Sequence, residues 1–251
     1  MIKKYTQYIN EEINWRGLNP FNKNKQYLIY TGDEIDPYGE EDWEDDSLSP
    51  ILQIARKTGK PYDQITTLEC INKQLTSLEG IENLINLEKL YCPFNQLTSL
   101  EGIENLTNLR YLCCPYNQLT NLDGIENLTN LRYLYCSNNQ LTNLDGIEIL
   151  INLKDLIIGN NQLTNLNGIE NLTNLKELYF HNNKLTSLEG IENLTNLVHL
   201  DCSNNQLTTL NGIENLTNLR ILHCHKNLFS DDYTKYIRNY YREKIIDISI
   251  D

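Results

Sequence analysis

The four histidines of the chain all lie in its last third, and some stand close to an aspartate in sequence or in repeat position. They are His181, His199, His223 and His225. His223 follows Asp201 by 22 residues, and His199 precedes Asp201 by two. Two histidines and one carboxylate are a ligand set that transition metals use, so one hypothesis is a metal-binding or enzymatic role through His199, Asp201 and His223, or else through the N-terminal segment, residues 1–48. No further ligand spacing supports it, and a polar, pH-sensitive surface cluster is the alternative.

Nucleophilic and phosphate chemistry have little support in the sequence. Cys113 is the one cysteine expected to face outward, but no histidine lies in an adjacent repeat to activate it. The glycines recur singly in G-I-E turns and are not clustered as in a phosphate-binding loop. The sequence therefore predicts a protein that is not an enzyme and needs no cofactor.

A larger set of aromatic and cationic side chains suits protein binding, because tyrosine and arginine are the residues that most often anchor protein interfaces. The predicted partner-binding residues are Tyr91, Phe94, Arg110, Tyr111, Tyr116, Arg132, Tyr133, Tyr135, Lys154 and Tyr179. The expected partner presents an apolar surface with some acidic character. The alternative is structural, since parallel strands favour tyrosine for packing between neighbouring strands.

These side chains occupy fixed places in a repeat that is clearest over residues 131–153. The alternation at Leu134, Tyr135 and Cys136 suits a very short strand, with Leu134 and Cys136 on one side and the tyrosines on the other. The apolar residues that follow are three residues apart, which indicates tight 3₁₀-like or irregular turns. One such unit cannot bury its own apolar side, so it must stack on copies of itself.

Eight copies follow one another at intervals of 22 residues without an insertion. They begin at Ile65, Leu87, Leu109, Leu131, Leu153, Leu175, Leu197 and Leu219. Position nine is asparagine in every copy except the first, which has Lys73. An amide side chain at this corner is expected to satisfy backbone groups that the bend leaves unpaired.

The run L-x-x-L-x-(L/C)-x-x-N-x-L resembles the leucine-rich repeat signature. With G-I-E-N-L-T-N-L on the return side, it resembles the short 22-residue class of internalins and of a leucine-rich regulatory subunit of protein phosphatase 1. The resemblance covers about residues 65–229. It implies an α/β solenoid, a right-handed horseshoe with a parallel sheet on the concave side, 3₁₀ or irregular turns on the convex side and helical caps. It does not imply one activity.

In that fold the concave side varies from repeat to repeat, whereas the convex side repeats nearly unchanged. The convex side is expected to carry a ridge of glutamates, namely Glu82, Glu104, Glu126, Glu148, Glu170, Glu192 and Glu214. Variation on one side of a constant scaffold is typical of a binding surface. We therefore expect a non-catalytic module that binds a protein on its concave face. A secreted or surface adhesion module of internalin type is the alternative.

The segments outside the repeats predict caps and an extension. Residues 1–48 form an acidic extension, with a short helix near residues 5–13, a strand at 26–30 and an acidic run at 33–46. Residues 49–64 form the N-terminal cap, whose helix begins at Ser49 and stops at Gly59. The repeats occupy 65–229, as seven full turns and a partial eighth. Residues 230–251 form a C-terminal cap helix, with a final strand near 245–250.

The net charge and the positions of the cysteines limit the possible partners and the expected cellular location. The net charge of -13 argues against nucleic acid and anionic membranes as partners. Six of the seven cysteines occupy position six of their repeat, where a small apolar residue is needed, so reduced core thiols are expected. There is no apolar signal core at the N-terminus and no membrane-spanning stretch. These features predict a cytoplasmic monomer.

Overall fold

The computed structural model describes residues 48–241 and 245–250. The helix predicted near residues 5–13, the strand at 26–30 and the acidic run at 33–46 lie outside the described residues. The boundaries proposed for the four segments stay predictions.

Short parallel strands form the spine of the repeats. Their bounds are β1 Thr67–Glu69, β2 Lys89–Tyr91, β3 Tyr111–Cys113, β4 Tyr133–Tyr135, β5 Asp155–Ile157, β6 Glu177–Tyr179, β7 His199–Asp201, β8 Ile221–His223 and β9 Asp247–Ser249. They form one sheet in sequence order. From β1 to β8 each residue pairs with the residue 22 positions later, as Leu134 does with Leu156. The sheet therefore keeps the register of the sequence repeat, and the solenoid fold is confirmed.

The core is a stack of equivalent apolar residues, one layer per repeat. In the central repeat Leu131, Leu134, Leu141, Ile147 and Leu150 are fully buried. Position six holds buried Cys70, Cys92, Cys114, Cys136, Cys202 and Cys224, with Ile158 and Phe180 in the other two repeats. Burial of each large side chain stabilises the fold by about 2 kcal/mol. Because each layer rests on the next, no repeat is expected to be stable alone.

The back of each repeat turns at a glycine in the left-handed region, where residues with a Cβ are strained. Gly102 and Gly124 have φ values of 101° and 102°. The amide of each donates to the glutamate two residues later, as Gly124 N does to Glu126 Oε2 at 2.8 Å. The same bond forms at Gly80, Gly102, Gly168, Gly190 and Gly212. The glutamates expected as an acidic ridge therefore serve to cap these turns.

Several of these turns continue as one turn of 3₁₀ helix, as the three-residue spacing predicts. These helices are Ile81–Asn83, Ile147–Ile149, Ile169–Asn171, Ile191–Asn193 and Ile213–Asn215, and a further one, Tyr62–Gln64, precedes β1.

The position-nine asparagines tie neighbouring repeats together, as the sequence predicted. Asn139 Oδ1 accepts from Leu119 N at 3.0 Å, and its Nδ2 donates to Cys114 O at 3.1 Å and Cys136 O at 3.0 Å. Asn95, Asn117, Asn161, Asn183, Asn205 and Asn227 make the equivalent bonds. A buried backbone group left unpaired costs about 1–3 kcal/mol, so each amide protects the corner of two repeats.

A second asparagine ladder on the back was not predicted from the sequence. Asn130 Nδ2 donates to Thr107 O at 2.9 Å, and Asn152 Nδ2 donates to Thr129 O at 2.9 Å. The bond recurs at Asn86, Asn108, Asn174, Asn196 and Asn218. These side chains are exposed, so each bond contributes less than those of the buried ladder.

Helices lie at both ends of the repeats. Helix α1, Pro50–Arg56, begins after Ser49, whose hydroxyl accepts from Leu52 N, and buries Ile51 and Ala55. It lies against the first glycine turn, because a Cβ at Gly80 would be 2.3 Å from Ser49 Oγ. Helix α2, Asp231–Tyr241, buries Ile237 and Tyr241. The final strand expected near 245–250 is β9, which pairs with β8.

None of the helices in residues 48–241 is long and apolar enough to cross a membrane.

Replacing the corner amide tests the ladder. We expect Asn139→Ala to lower the free energy of unfolding by about 3 kcal/mol or more, since one amide and two carbonyls lose a partner. Urea unfolding followed by circular dichroism measures the change. Gln140→Ala, an exposed neighbour in the same turn, is the matched control. Equal stability of the two variants would show that the ladder is dispensable.

Candidate protein-binding face

Side chains at positions three and five of each repeat point away from the leucine core. We call the surface that they form the front face. In β4 these residues are Tyr133 and Tyr135, on either side of buried Leu134. The front face is where the sequence placed its variable residues.

Four tyrosines on neighbouring strands form one contiguous group, the aromatic cluster: Tyr91, Tyr111, Tyr133 and Tyr135. The ring centre of Tyr111 lies 4.8 Å from that of Tyr91, 5.6 Å from that of Tyr133 and 5.2 Å from that of Tyr135, which it meets edge-on. The structure thus brings these predicted binding residues together. The expectation that they are exposed is wrong for Tyr111, which is 8 % exposed because the other three surround it; those three are half-buried.

Cys113 also differs from the prediction. It belongs to position five and was expected to face solvent, but it is only 2 % exposed. Its register partners on the two flanking strands are Tyr91 and Tyr135. A thiol between two much larger side chains is covered by them, and burial raises its pKa well above that of a free cysteine.

A second aromatic pair lies at position eight, just beyond the strands. The rings of Phe94 and Tyr116 stack at 4.5 Å with an angle of 10° between their planes. Both residues have φ of 57°. The same left-handed conformation occurs at position eight of the other repeats, where five of the six residues are asparagines and the sixth is Lys226. Asparagine tolerates this region and aromatic residues do not, so each aromatic here carries backbone strain.

The predicted cations flank the aromatic cluster. Arg110 and Arg132 occupy position two, immediately before β3 and β4, and both are exposed. Lys154 stands at the same position before β5 and is half-buried. Tyr179 does not join the aromatic cluster, because half-buried Ile157 occupies position five on the strand between it and Tyr135.

Instead, Tyr179 belongs to a group of polar side chains that the sequence analysis did not single out. We call Asp155 and Glu177, which are register partners on β5 and β6, the carboxylate pair. Tyr135 donates its hydroxyl proton to Asp155 Oδ2 at 3.2 Å, and Tyr179 donates to Glu177 Oε2 at 2.7 Å. The sequence feature that could have revealed the carboxylate pair is the presence of acidic residues at position three of two consecutive repeats. Residues at the same position of neighbouring repeats lie side by side, so their like charges are brought together.

The histidines are divided between two carboxylates. His199 Nδ1 contacts Glu177 Oε2, whereas His181 Nδ1 and His223 Nδ1 lie 3.7 Å and 3.8 Å from Asp201 Oδ2. The three residues of the metal-site hypothesis, His199, Asp201 and His223, therefore do not converge, because His199 turns to Glu177 on the preceding strand. Within residues 48–241 and 245–250, no three histidine, cysteine or acidic side chains converge as ligands.

Burial affects the two aspartates of the front face in opposite ways. Burial, and then the charge of Glu177, raise the pKa of Asp155 to about 6. Burial alone would raise the pKa of Asp201 too, but His223, His181 and two hydrogen bonds from Ser203 lower it below its usual value. Asp201 is thus stabilised as a carboxylate, and Asp155 is not.

Comparison with known proteins identifies the architecture. A family model described as leucine rich repeats (2 copies) matches residues 107–148, 151–193 and 195–234. The structure of internalin C2 from Listeria monocytogenes superposes with a TM-score of 0.71 at 28% identity, covering 80% of this chain and 92% of that one. The chain is a leucine-rich repeat protein of internalin-like type. No curated protein sequence gave a match. Leucine-rich repeat proteins of this type generally mediate protein–protein interaction, and they are typically binding modules.

A second leucine-rich repeat structure is relevant to the cysteines. The functional domain of InlJ from Listeria monocytogenes, described as including a cysteine ladder, has a TM-score of 0.50 at 26% identity. The match covers 76% of this chain and 54% of that one, so the chain spans about half of the InlJ structure. In the present chain Cys114 Sγ lies 3.1 Å from Cys136 Sγ, and all seven cysteines are free.

Asp155 and Asp201 are expected to affect the stability of the fold in opposite directions. At pH 7.5 we expect Asp155→Asn to raise the free energy of unfolding by about 1–2 kcal/mol, after allowance for solvent screening, because a raised pKa penalises the charged folded form. We expect Asp201→Asn to lower it, because a lowered pKa stabilises that form. Urea unfolding at pH 7.5 and pH 4 measures both.

The effects of the two aspartates differ in their dependence on pH. The penalty at Asp155 applies above pH 6 and disappears as the pH falls through 6 toward 4, so the advantage of Asp155→Asn disappears with it. The stabilisation by Asp201 is present above pH 4 and is lost as the pH falls below that value. Exposed Asp145→Asn is the control. The same sign for Asp155→Asn and Asp201→Asn at pH 7.5 would contradict this assignment.

Proposed function

We propose that the chain binds a protein partner on its front face without catalysing a reaction. The aromatic cluster and the Phe94–Tyr116 pair are the anchors, and Arg110, Arg132 and Lys154 lie at the rim. Aromatic residues and arginine supply most of the energy in protein interfaces, whereas charges at the rim mainly steer association.

One observation carries the proposal. Position eight requires a left-handed backbone, and Phe94 and Tyr116 occupy it although asparagine would be less strained. The strain costs about 1–2 kcal/mol at each residue, and it is offset only in part by the stacking of the rings, about 0.5–1.5 kcal/mol. Strained residues that do not improve the fold are found at functional sites.

The rest of the front face supports the same function. A ladder of paired strands holds the rings in fixed places, so that little conformational entropy is lost on docking. The aromatic cluster lies on three neighbouring strands, which provides a contiguous apolar centre of the kind found in interfaces. We propose that the chain acts as a monomer and does not bind nucleic acid or membranes.

A secreted or surface-attached adhesion module is the second candidate, and the fold likeness to internalin C2 supports it. We favour a reducing cytoplasm, because Ile158 and Phe180 fill position six in two repeats, so the position serves the apolar core and does not depend on a disulfide. Thiol titration of the protein taken from its native source and then unfolded separates the two. Seven free thiols support the cytoplasmic setting, and bridged cysteines contradict it.

The strained pair is tested with the residue found in the other repeats. We expect Phe94→Asn with Tyr116→Asn to raise the free energy of unfolding by about 0.5–3.5 kcal/mol, since relief of strain at two residues exceeds the loss of one ring stacking. Peptides selected from a displayed random library on the native protein should lose roughly ten-fold or more in affinity for this variant. Undiminished affinity would remove the pair from the site.

Tyr133→Ala tests the aromatic cluster independently. Tyr133 is half-buried and its ring contacts that of Tyr111, so truncation should lower the free energy of unfolding by about 1–2 kcal/mol. We expect the selected peptides to lose affinity for this variant as well, and to retain it for Ile151→Ala on the back. If the peptides bind Tyr133→Ala and Ile151→Ala as tightly as they bind the native protein, the front face is not the binding surface.

A further inference from the structure

We propose that the carboxylate pair accepts the guanidinium group of an arginine from an extended segment of the partner, while an apolar side chain four residues away, on the same side of that segment, rests on the aromatic cluster. This inference rests on the proposed function and adds the chemistry of the partner.

The front face changes character along the sheet. Strands β2 to β4 present the aromatic cluster, and β5 to β7 present Asp155, Glu177 and Asp201. Only the last of these acids has histidines on two sides. The carboxylate pair thus begins where the aromatic cluster ends, and Tyr135 belongs to both because its hydroxyl reaches Asp155.

The two acids of the pair are held side by side although they repel each other. They are register partners, and Asp155 is 9 % and Glu177 8 % exposed. Among the described residues, no lysine or arginine nitrogen lies within 4.0 Å of either carboxylate. His199 contacts Glu177, and the charges of Lys154 and Lys176 act on Asp155 from farther away without offsetting its burial. Like charges on neighbouring strands destabilise a sheet, and burial adds to the cost. A cation from the partner would relieve both.

The donors around the pair fix its orientation. Tyr135 and Tyr179 donate to one oxygen each, and burial raises the pKa of both phenols, so that they stay protonated donors. Within the described part of the chain, Asp155 Oδ1 and Glu177 Oε1 receive no hydrogen bond, and neither is among the enclosed side-chain atoms. Two adjacent acceptor oxygens suit the paired N–H groups of a guanidinium, which also stacks on tyrosine rings.

The aromatic cluster provides an independent sign that a ligand is accommodated nearby. The hydroxyl of Tyr111 is enclosed, and within residues 48–241 and 245–250 no group meets it in good hydrogen-bond geometry, the neighbouring Tyr135 hydroxyl included. A buried hydroxyl without a partner is costly in an isolated protein. Tyr111 meets Tyr135 edge-on, so this unsatisfied group lies next to the residue that orients Asp155.

Charge complementarity determines the direction of the partner segment. Arg110 and Arg132 are exposed beside the aromatic cluster and favour acidic residues at that end, whereas the carboxylate pair favours a cation at the other. The aromatic cluster is centred on β3 and the carboxylate pair lies between β5 and β6, so the two centres are about two and a half strand spacings, or about 12 Å, apart. An extended chain covers that distance in about four residues, and residues four apart face the same side.

Capped peptides of defined sequence test the inference. The probe is Ac-Ala-Phe-Ala-Ala-Ala-Arg-Ala-NH₂, and the control replaces arginine with citrulline, which is neutral but nearly isosteric. Titrations followed by NMR should show the arginine peptide binding roughly ten-fold or more tightly than the citrulline peptide. Asp155→Asn with Glu177→Gln should abolish the difference, and exposed Asp145→Asn should retain it. Unfolding by urea verifies that each variant is folded.

The outcomes separate this inference from the proposed function. Equal binding of the arginine and citrulline peptides, or no saturable shift with either at millimolar concentration, overturns the inference. A lysine peptide that binds as tightly as the arginine peptide overturns the assignment to guanidinium. If library-selected peptides still depend on Tyr133 and Phe94, the proposed function stands without it. If they do not, the proposed function fails as well.

Discussion

Each repeat bends sharply at the end of its strand, and the bend leaves backbone groups unpaired inside the molecule. One asparagine per repeat resolves this for two repeats at once, as Asn139 does for the corners that begin at Cys114 and Cys136. Because the amide must reach the repeat before it, an insertion between the strand and this corner would break the bonds on both sides. The constraint keeps each corner aligned with its neighbours and holds the strands in register. The front face inherits its regularity from this ladder.

Much of the fold could be predicted from the sequence, because burial and backbone pairing impose a strict period. Leucines and cysteines had to face inward, and the corner asparagines had to pair with backbone, whatever the protein binds. The glutamates were harder to interpret. They look like a charged ridge, yet Glu126 caps the amide of Gly124. A short recurring pattern such as G-I-E shows that the glutamate position matters. It does not show whether the carboxylate faces solvent or accepts a hydrogen bond from the backbone. The second asparagine ladder was missed for the same reason.

The candidate site was predicted less completely, because side-chain contacts between strands depend on size and on competing partners. Four of the predicted tyrosines contact one another, whereas Tyr116 stacks on Phe94 and Tyr179 bonds to Glu177. The burial of Cys113 beneath Tyr91 and Tyr135 follows from a contrast in size across strands that a single repeat does not reveal. His199 had two acids within reach, and it pairs with Glu177 and not with Asp201. The carboxylate pair was overlooked because each acid, taken alone, resembles an ordinary polar residue of a strand.

The front face therefore combines features that a scaffold alone would not need: strained aromatic residues, a buried hydroxyl without a partner and two adjacent carboxylates. Mapping a bound peptide by amide chemical shifts tests most directly whether these features form one binding surface. The account predicts that shifts concentrate at positions three, five and eight of β2 to β6 and leave the glycine–glutamate turns unchanged. Shifts centred on those turns, or on helix α2, would contradict it.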